Sequence, residues 1–391
     1  MSDKVALTAT IKMVVDPDPR LVDLIKRSTD GIRYVVYNIL EEPSKYGVFK
    51  YSKRDRRIKW YQDIGAIHHE FYETLKTKFG LPSRVAHGCY RDAMFLAKSI
   101  LNNPTNNNSK RKPILKKNIL RLSNSSYKLI WESNRLVAFK IRGYATFKIV
   151  GYPKEQYELY KDCKLGDCLL LLRDDKVFLY VTVKKTTTIP KPSHKAIAVD
   201  LNFREVVFGN HDIERRIKTP LERLLHIKQH HIDKIQRKYN KSWKYNKHIK
   251  RAISRWWRKI RGVLDNFVKQ TSLKIVLFAK EQNCDTIVLE DLNGLMCKQA
   301  KTRKTWRDKF TFFTYRKLQS WIEWQAKKHG LVVAYIPPQN TSKICPMCGS
   351  NETYLRGRML YCKECHLKMD KDSVAIRNLV NRWLKMLDVG S

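Results

Sequence analysis

Two Cys-x-x-Cys pairs near the C-terminus constrain this chain more than any other feature. Cys345-Pro-Met-Cys348 and Cys362-Lys-Glu-Cys365 are separated by thirteen residues. That spacing lets a short hairpin, predicted over Tyr354 to Tyr361, gather four thiolates around one ion. Four thiolates take Zn²⁺, with iron as the alternative. A full set of protein ligands leaves no position for water, so the ion is expected to be structural. His366 adjoins Cys365 and could compete as a ligand, but with four cysteines present it is expected on the surface. The other cysteines, Cys89, Cys163, Cys168, Cys284 and Cys297, are scattered. Grouped and scattered cysteines together speak for a reducing compartment and a metal, not disulfides. The five scattered thiols read as small buried hydrophobes.

The charge is the second constraint. The 391 residues hold 78 Lys and Arg against 37 Asp and Glu, a net charge of +41. So large an excess repels itself unless a polyanion neutralises it, which makes nucleic acid the expected partner. The basic residues run through patterned segments and do not form a tail or an amphipathic anchor, which argues against a membrane surface. Nor do about 18 apolar residues run together anywhere, and the start at Met1-Ser2-Asp3-Lys4 lacks an apolar signal region. The expectation is a cytoplasmic protein, nucleoid-associated in a prokaryote. With 43% hydrophobic and 11% aromatic residues, the chain can bury cores for two or three domains of about 150 residues each.

Val5, Leu7, Ala9, Ile11 and Met13 alternate with Ala6, Thr8, Thr10 and Lys12, the period of a half-buried strand. From Asp18 the period becomes helical: Leu21, Leu24, Ile25, Ile32, Val35, Val36 and Ile39, then Val85, Cys89, Met94, Ala97 and Ile100. Ser83 is a candidate N-cap, and Asn102 to Ser109 reads as the closing loop. Strand patterns return over Leu136–Ile141, Tyr144–Ile149, Cys168–Leu172 and Val177–Val183, with Arg173 to Lys176 as a turn. One strand before the helices and several after them imply a single β domain interrupted by a helical insertion. Thr186 to Pro192 reads as a linker. Ala196–Val199 and Val206–Phe208 follow as adjacent strands, Leu221–Ile260 as a long basic helical stretch, and Thr286–Leu289 as a third strand. A helix over about Tyr315 to His329 leads to a strand over Leu331–Ile336, and a final helix is expected over Val374–Leu387.

Three acids stand where a nuclease needs them. Asp200 and Glu290 end apolar strands, and Asp372 precedes the last helix. Two-metal phosphodiester cleavage requires carboxylates that hold two Mg²⁺ about 4 Å apart, one activating water and the other stabilising the leaving oxygen. The segments Ile197-Ala-Val-Asp200-Leu-Asn202, Ile287-Val-Leu-Glu290-Asp-Leu292, Thr341-Ser-Lys-Ile-Cys-Pro-Met-Cys-Gly349 and Met369-Asp-Lys-Asp372-Ser-Val-Ala-Ile-Arg-Asn378-Leu379 resemble the motifs of the transposon-encoded TnpB nucleases, relatives of the compact type V CRISPR effectors. The resemblance spans about Lys195 to Asn381. Asn202 stands where that family usually has glycine, Val374 where it has Asn and Ile376 where it has Ala, while Asn378 is kept.

The resemblance implies an RNA-guided DNA endonuclease that uses a transposon-derived guide RNA, recognises a short motif beside its target, and cuts with Asp200, Glu290 and Asp372 on Mg²⁺. It implies an α/β multi-domain fold. An RNase-H-like, RuvC-type domain over 194–340 and 370–391 would carry a zinc ribbon over 341–369 held by Cys345, Cys348, Cys362 and Cys365. A small β-barrel-like wedge domain over 1–16 and 115–193 would be interrupted by a helical recognition insertion over 17–114. There Tyr51 to Arg56, Trp60 and Tyr61 are expected, on helix, to contact guide and target. Asp291 and Asp370 are not assigned to metal. Two other readings compete: an idle nucleic-acid-binding regulator that keeps the fold, and a strand-transfer transposase, which uses a similar triad but normally without the ribbon.

Overall fold

A computed structural model describes residues 3–53, 57–103, 115, 117–133, 135–154, 163–292 and 306–390. The chain divides into two compact units, Thr8–Lys185 and Met1–Leu7 with Thr186–Ser391.

The first unit is built on a seven-stranded sheet. Its strands are β1 (Asp3–Val15), β4 (Asn118–Leu122), β5 (Tyr127–Glu132), β6 (Arg135–Ile141), β7 (Thr146–Gly151), β8 (Lys164–Arg173) and β9 (Lys176–Ile189), in the order β4-β8-β9-β1-β7-β6-β5. Strand β1 thus sits mid-sheet although the helices follow it in the chain. Those helices are α1 (Pro19–Glu41), α2 (Ile64–Thr77) and α3 (Ser83–Leu101). Helix α1 starts where it does because Asp18 accepts from the Arg20 N–H at 2.8 Å and Pro19 fills the first turn. The predicted periodic residues of α1 are fully buried and join one hydrophobic cluster with α2, α3 and the sheet. The β8–β9 turn places Asp174 and Asp175 at φ +48° and +58°, the left-handed pair that a two-residue hairpin requires.

Several expectations need correction. Gly47–Ser52 and Arg57–Gln62 form a two-stranded hairpin, β2–β3, so Tyr51, Trp60 and Tyr61 lie on strands and not on helix. Residues 54–56 lie outside the described residues, as do 104–109 of the predicted loop. Strand β9 runs on to Ile189, through half of the expected linker. Pro82 is the N-cap of α3, and Ser83 is its first helical residue. Cys89, Cys168 and Cys284 are buried as expected; Cys163 is half-buried, and Cys297 lies outside the described residues.

The second unit centres on a five-stranded sheet of β10 (Ala196–Leu201), β11 (Glu205–Gly209), β12 (Glu214–Lys218), β13 (Thr286–Glu290) and β14 (Val332–Ile336), in the order β12-β11-β10-β13-β14. β10, β13 and β14 run parallel, while β11 and β12 are antiparallel neighbours. A parallel sheet must be covered on both faces. One face carries Val268, Ile275, Val276 and Phe278 of α6 (Lys247–Glu281) and Leu318 and Ile322 of α7 (Trp306–Lys328). The other carries Ile376, Leu379, Val380 and Trp383 of α8 (Lys371–Gly390). The predicted basic helical stretch from Leu221 is not continuous. It comprises α4 (Leu221–Ile227), a π turn (Lys228–Asp233), α5 (Lys234–Lys238) and a 3₁₀ turn (Asn240–Lys244). Asn246 then caps α6, accepting from the N–H groups of His248 and Ile249 at 2.9 and 3.2 Å. Finally, β15 (Thr353–Arg356), β16 (Met359–Cys362) and β17 (Lys368–Asp370) form a three-stranded ribbon. Among the described residues no helix is long and apolar enough to cross a membrane.

Candidate metal centres

Strand register places the first two acids side by side. Val199 pairs with Leu289 in the parallel β10–β13 ladder, so Asp200, next to last in β10, and Glu290, last in β13, lie near the ends of adjacent strands about 4.8 Å apart. Side chains alternate along a strand. Ala196, Ala198 and Val288 face α8, and Asp200 and Glu290 therefore face it too. Asp372 lies in the first turn of α8, the helix packed on that face.

All three carboxyls are withdrawn from solvent, Asp200 and Asp372 being buried and Glu290 half-buried. Burial, and after it the charges of Glu290 and Asp372, pushes Asp200 up to about 7, against the hydrogen bond that the Asn202 amide donates to Oδ2 at 2.6 Å. Asn202, the departure from the usual glycine, thus serves as a partner of Asp200. Burial also raises Glu290, opposed by the Thr341 hydroxyl, which donates to Oε1 at 2.8 Å, and by Arg382. Asp372 is raised by burial against the pull of Arg358. The charges of Glu290 and Asp372 thus bear on Asp200, and the hard oxygens of such a carboxylate group suit Mg²⁺. The three do not form as tight a group as the cysteines: among the described residues, the four thiols are the one set of three or more His, Cys, Asp or Glu donors within 4.8 Å of one another.

Those thiols, Cys345, Cys348, Cys362 and Cys365, converge at the ends of two turns. Cys345 and Cys365 sulfurs are 3.5 Å apart and those of Cys348 and Cys362 3.6 Å, close to the roughly 3.8 Å edge of a tetrahedron with 2.3 Å Zn–S arms. Gly349 at φ +75° lets its N–H return to the Cys345 carbonyl at 3.0 Å. Backbone N–H groups of Cys365 and Glu364 draw the Cys362 thiol down to about 7, which favours its thiolate, while hydrogen bonds within the sulfur group hold the Cys348 and Cys365 thiols up. His366 is exposed and outside the sulfur group; it occupies the left-handed turn at φ +58°.

Single-sequence reading missed what joins the two centres. Arg358, in the β15–β16 turn, donates to Asp372 Oδ2, to Glu205 Oε1 at 2.6 Å and to Asp370 Oδ2 at 3.4 Å. Arg216 of β12 bonds Asp370, Glu214 and Ser373 at 3.1, 2.9 and 3.0 Å. Asp370 accepts from the Asp372 N–H at 3.0 Å. Burial would raise its carboxyl, but that N–H and Arg216 hold it low, so it acts as cap and ion-pair partner. Asn378 donates to the carbonyls of Thr341 and Ile344 at 2.8 and 2.7 Å, pinning the entry of the ribbon to α8. Val374 and Ile376, the other departures, are fully buried packing positions. No local pattern flags Arg358, since its partners lie up to 153 residues away. Arg358→Ala is expected to lower stability by about 1–2 kcal/mol in urea unfolding. That is less than for a fully buried pair, because the guanidinium is half-exposed. An unchanged midpoint would mean that Asp372 does not depend on it.

Residues 315–379 match the family model of the Cas12f1-like TNB domain. The chain is 29% identical to a TnpB-like protein of Methanocaldococcus jannaschii over 262 residues, 64% of this chain and 90% of that protein. It is 38% identical to the CRISPR-associated endodeoxyribonuclease Cas12f1 of Syntrophomonas palmitatica over 95 residues, 24% of this chain and 18% of that one. A cryo-EM structure of a Cas12f1–sgRNA–target DNA complex superposes with a TM-score of 0.50 at 13% identity, covering 92% of this chain and 82% of that chain. The fold is that of the Cas12 effectors, α/β with a four-cysteine cluster. The chain is similar to TnpB-like proteins over most of its length and, over shorter stretches, to type V effectors.

Proposed function

We propose that this chain is an RNA-guided DNA endonuclease of TnpB type, and that residues 194–340 with 370–391 form its RNase-H-like nuclease domain. In this reading 341–369 is a zinc ribbon, 17–114 a recognition insertion, and 1–16 with 115–193 a wedge-like β domain. The observation that carries it is the meeting of Asp200 and Glu290 at adjacent strand ends on the face that presents Asp372. Asp200, Glu290 and Asp372 would hold Mg²⁺, which when bound supplies charge neutralisation and an activated water for phosphodiester hydrolysis. Asn202 and Thr341 orient the oxygens of Asp200 and Glu290; Arg358 steadies Asp372 from the ribbon side. The cysteines would hold structural Zn²⁺. Similarity to TnpB-like proteins and to Cas12f1, together with the net charge, supports guide RNA and target DNA as partners.

The test is a cleavage assay. Protein isolated with its RNA is expected to cut a matching DNA in Mg²⁺, and Asp200→Ala to bind that DNA but cut it no faster than a no-enzyme control. Cutting retained by the variant removes Asp200 from the chemistry. Binding without cutting by the parent favours an idle regulator, and joined DNA products favour a transposase.

A further inference from the structure

Helix α6 is twice as long as the sheet needs. The segment from Val268 to Ala279 packs on β10 and β13, and the chain turns over Gln282–Asp285 into β13, so α6 runs back antiparallel to that strand. Lys247, 21 residues before Val268, therefore lies roughly 30 Å beyond the level of the carboxylate ends of the strands, at 1.5 Å per residue. This overhang is a built arm and not a frayed end. Ile253, Ile260 and Leu264 bury against Leu221, Leu224 and Ile232, and the His231 ring stacks on Trp256 with centroids 3.7 Å apart and planes 6° off parallel.

Along the arm, Lys247, Lys250, Arg251, Ser254, Arg255 and Arg258 line one shallow groove of about 350 Å³. Their spacing of three and four residues makes a straight exposed stripe. No carboxylate among the described residues pairs with any of its five cations, whereas Lys228, on the inner side, pairs with Asp233 at 2.7 Å. Like charges three and four residues apart repel, and a line of phosphates converts that repulsion into attraction with release of counterions.

We infer that this stripe is a docking surface for the phosphate backbone of a DNA duplex, the flank of the strand presented to Asp200, Glu290 and Asp372. The arm extends past the strand-end edge where those acids stand, from the sheet face opposite α8, so a duplex long enough to span that edge can lie along it. The choice of DNA over RNA rests on the endonuclease reading above.

The experiment uses the full chain carrying Asp200→Ala, so that DNA stays uncut, and measures binding of a fluorescent DNA duplex and of a labelled RNA hairpin across a salt series. Lys250→Gln, Arg251→Gln, Arg255→Gln and Arg258→Gln are combined; a control with equal charge loss combines Lys218→Gln, Lys274→Gln, Lys280→Gln and Lys327→Gln. The arm variant is expected to lose about 0.9 from the DNA salt slope for each phosphate contact removed, three to four units in all. Its RNA slope and the control's DNA slope should hold. An unchanged DNA slope, a fall equal to that of the control, or a fall shared equally with RNA overturns the assignment. Cutting by the parent chain is read separately: a parent that never cuts leaves a positive slope result standing, and a cutting parent with an unchanged slope in the variant removes the arm alone.

Discussion

Purified protein should carry close to one zinc per chain, and Cys362→Ser should lose it together with the order of the whole ribbon. The reason is how little else holds that segment. β15 is almost wholly exposed, and of the residues on the three strands only Leu360 and Cys362 are buried. Structural zinc in comparable sites contributes on the order of 10–16 kcal/mol to apo-unfolded, holo-folded segments. In Cys362→Ser, or in the parent after chelation, hydrogen exchange over Thr353 to Cys362 is expected to speed up by several orders of magnitude, while β10 and β13 stay protected. Because Arg358 sits in that hairpin, its grip on Asp372 should go with it. A chelated protein whose ribbon amides exchange as slowly as before would mean that the cysteines need no ion.

The second large effect concerns Asp200. Its carboxyl stands at about 7 in the fold and near 4 in an unfolded chain, so the folded state binds the proton more tightly. Stability from this group is greatest below about pH 4, falls as pH rises from 4 to 7, and stays reduced above that. Removing the charge should therefore help the metal-free fold. Asp200→Asn is expected to be more stable than the parent at pH 8 by on the order of 2–4 kcal/mol and no more stable near pH 4. Mg²⁺ at pH 8 should stabilise the parent and leave the variant unmoved, because only the parent gains an ion that the uncompensated carboxylate calls for. Equal unfolding midpoints at both pH values would show that Asp200 carries no such strain.

These effects also mark what a single sequence can reveal. The strands that deliver Asp200 and Glu290 are legible because they are buried on both faces and read as unbroken apolar runs, and the cysteines because metal spacing is local. The β2–β3 hairpin is not, since β2 exposes four residues in a row and so shows no alternation to detect. The break between α4 and α6 hides for another reason: apolar residues recur at helical spacing on both sides of it, and only Asn246 marks the new start. Arg358 and Arg216 escape because ion pairs that join the ribbon, β11, β12 and α8 leave no trace in local pattern.

Continuity of α6 carries one more implication. A single unbroken helix locks the azimuth of its outer half to that of its inner half, so the cation row keeps a set rotational phase relative to Val268 and Ile275. One residue added between Ile260 and Leu264 would swing the row by about 100° around the axis. A seven-residue addition would return it almost to its old bearing, displaced outward by about 10 Å. Evolution could therefore lengthen this element in whole heptads without re-aiming it, and in hardly any smaller step.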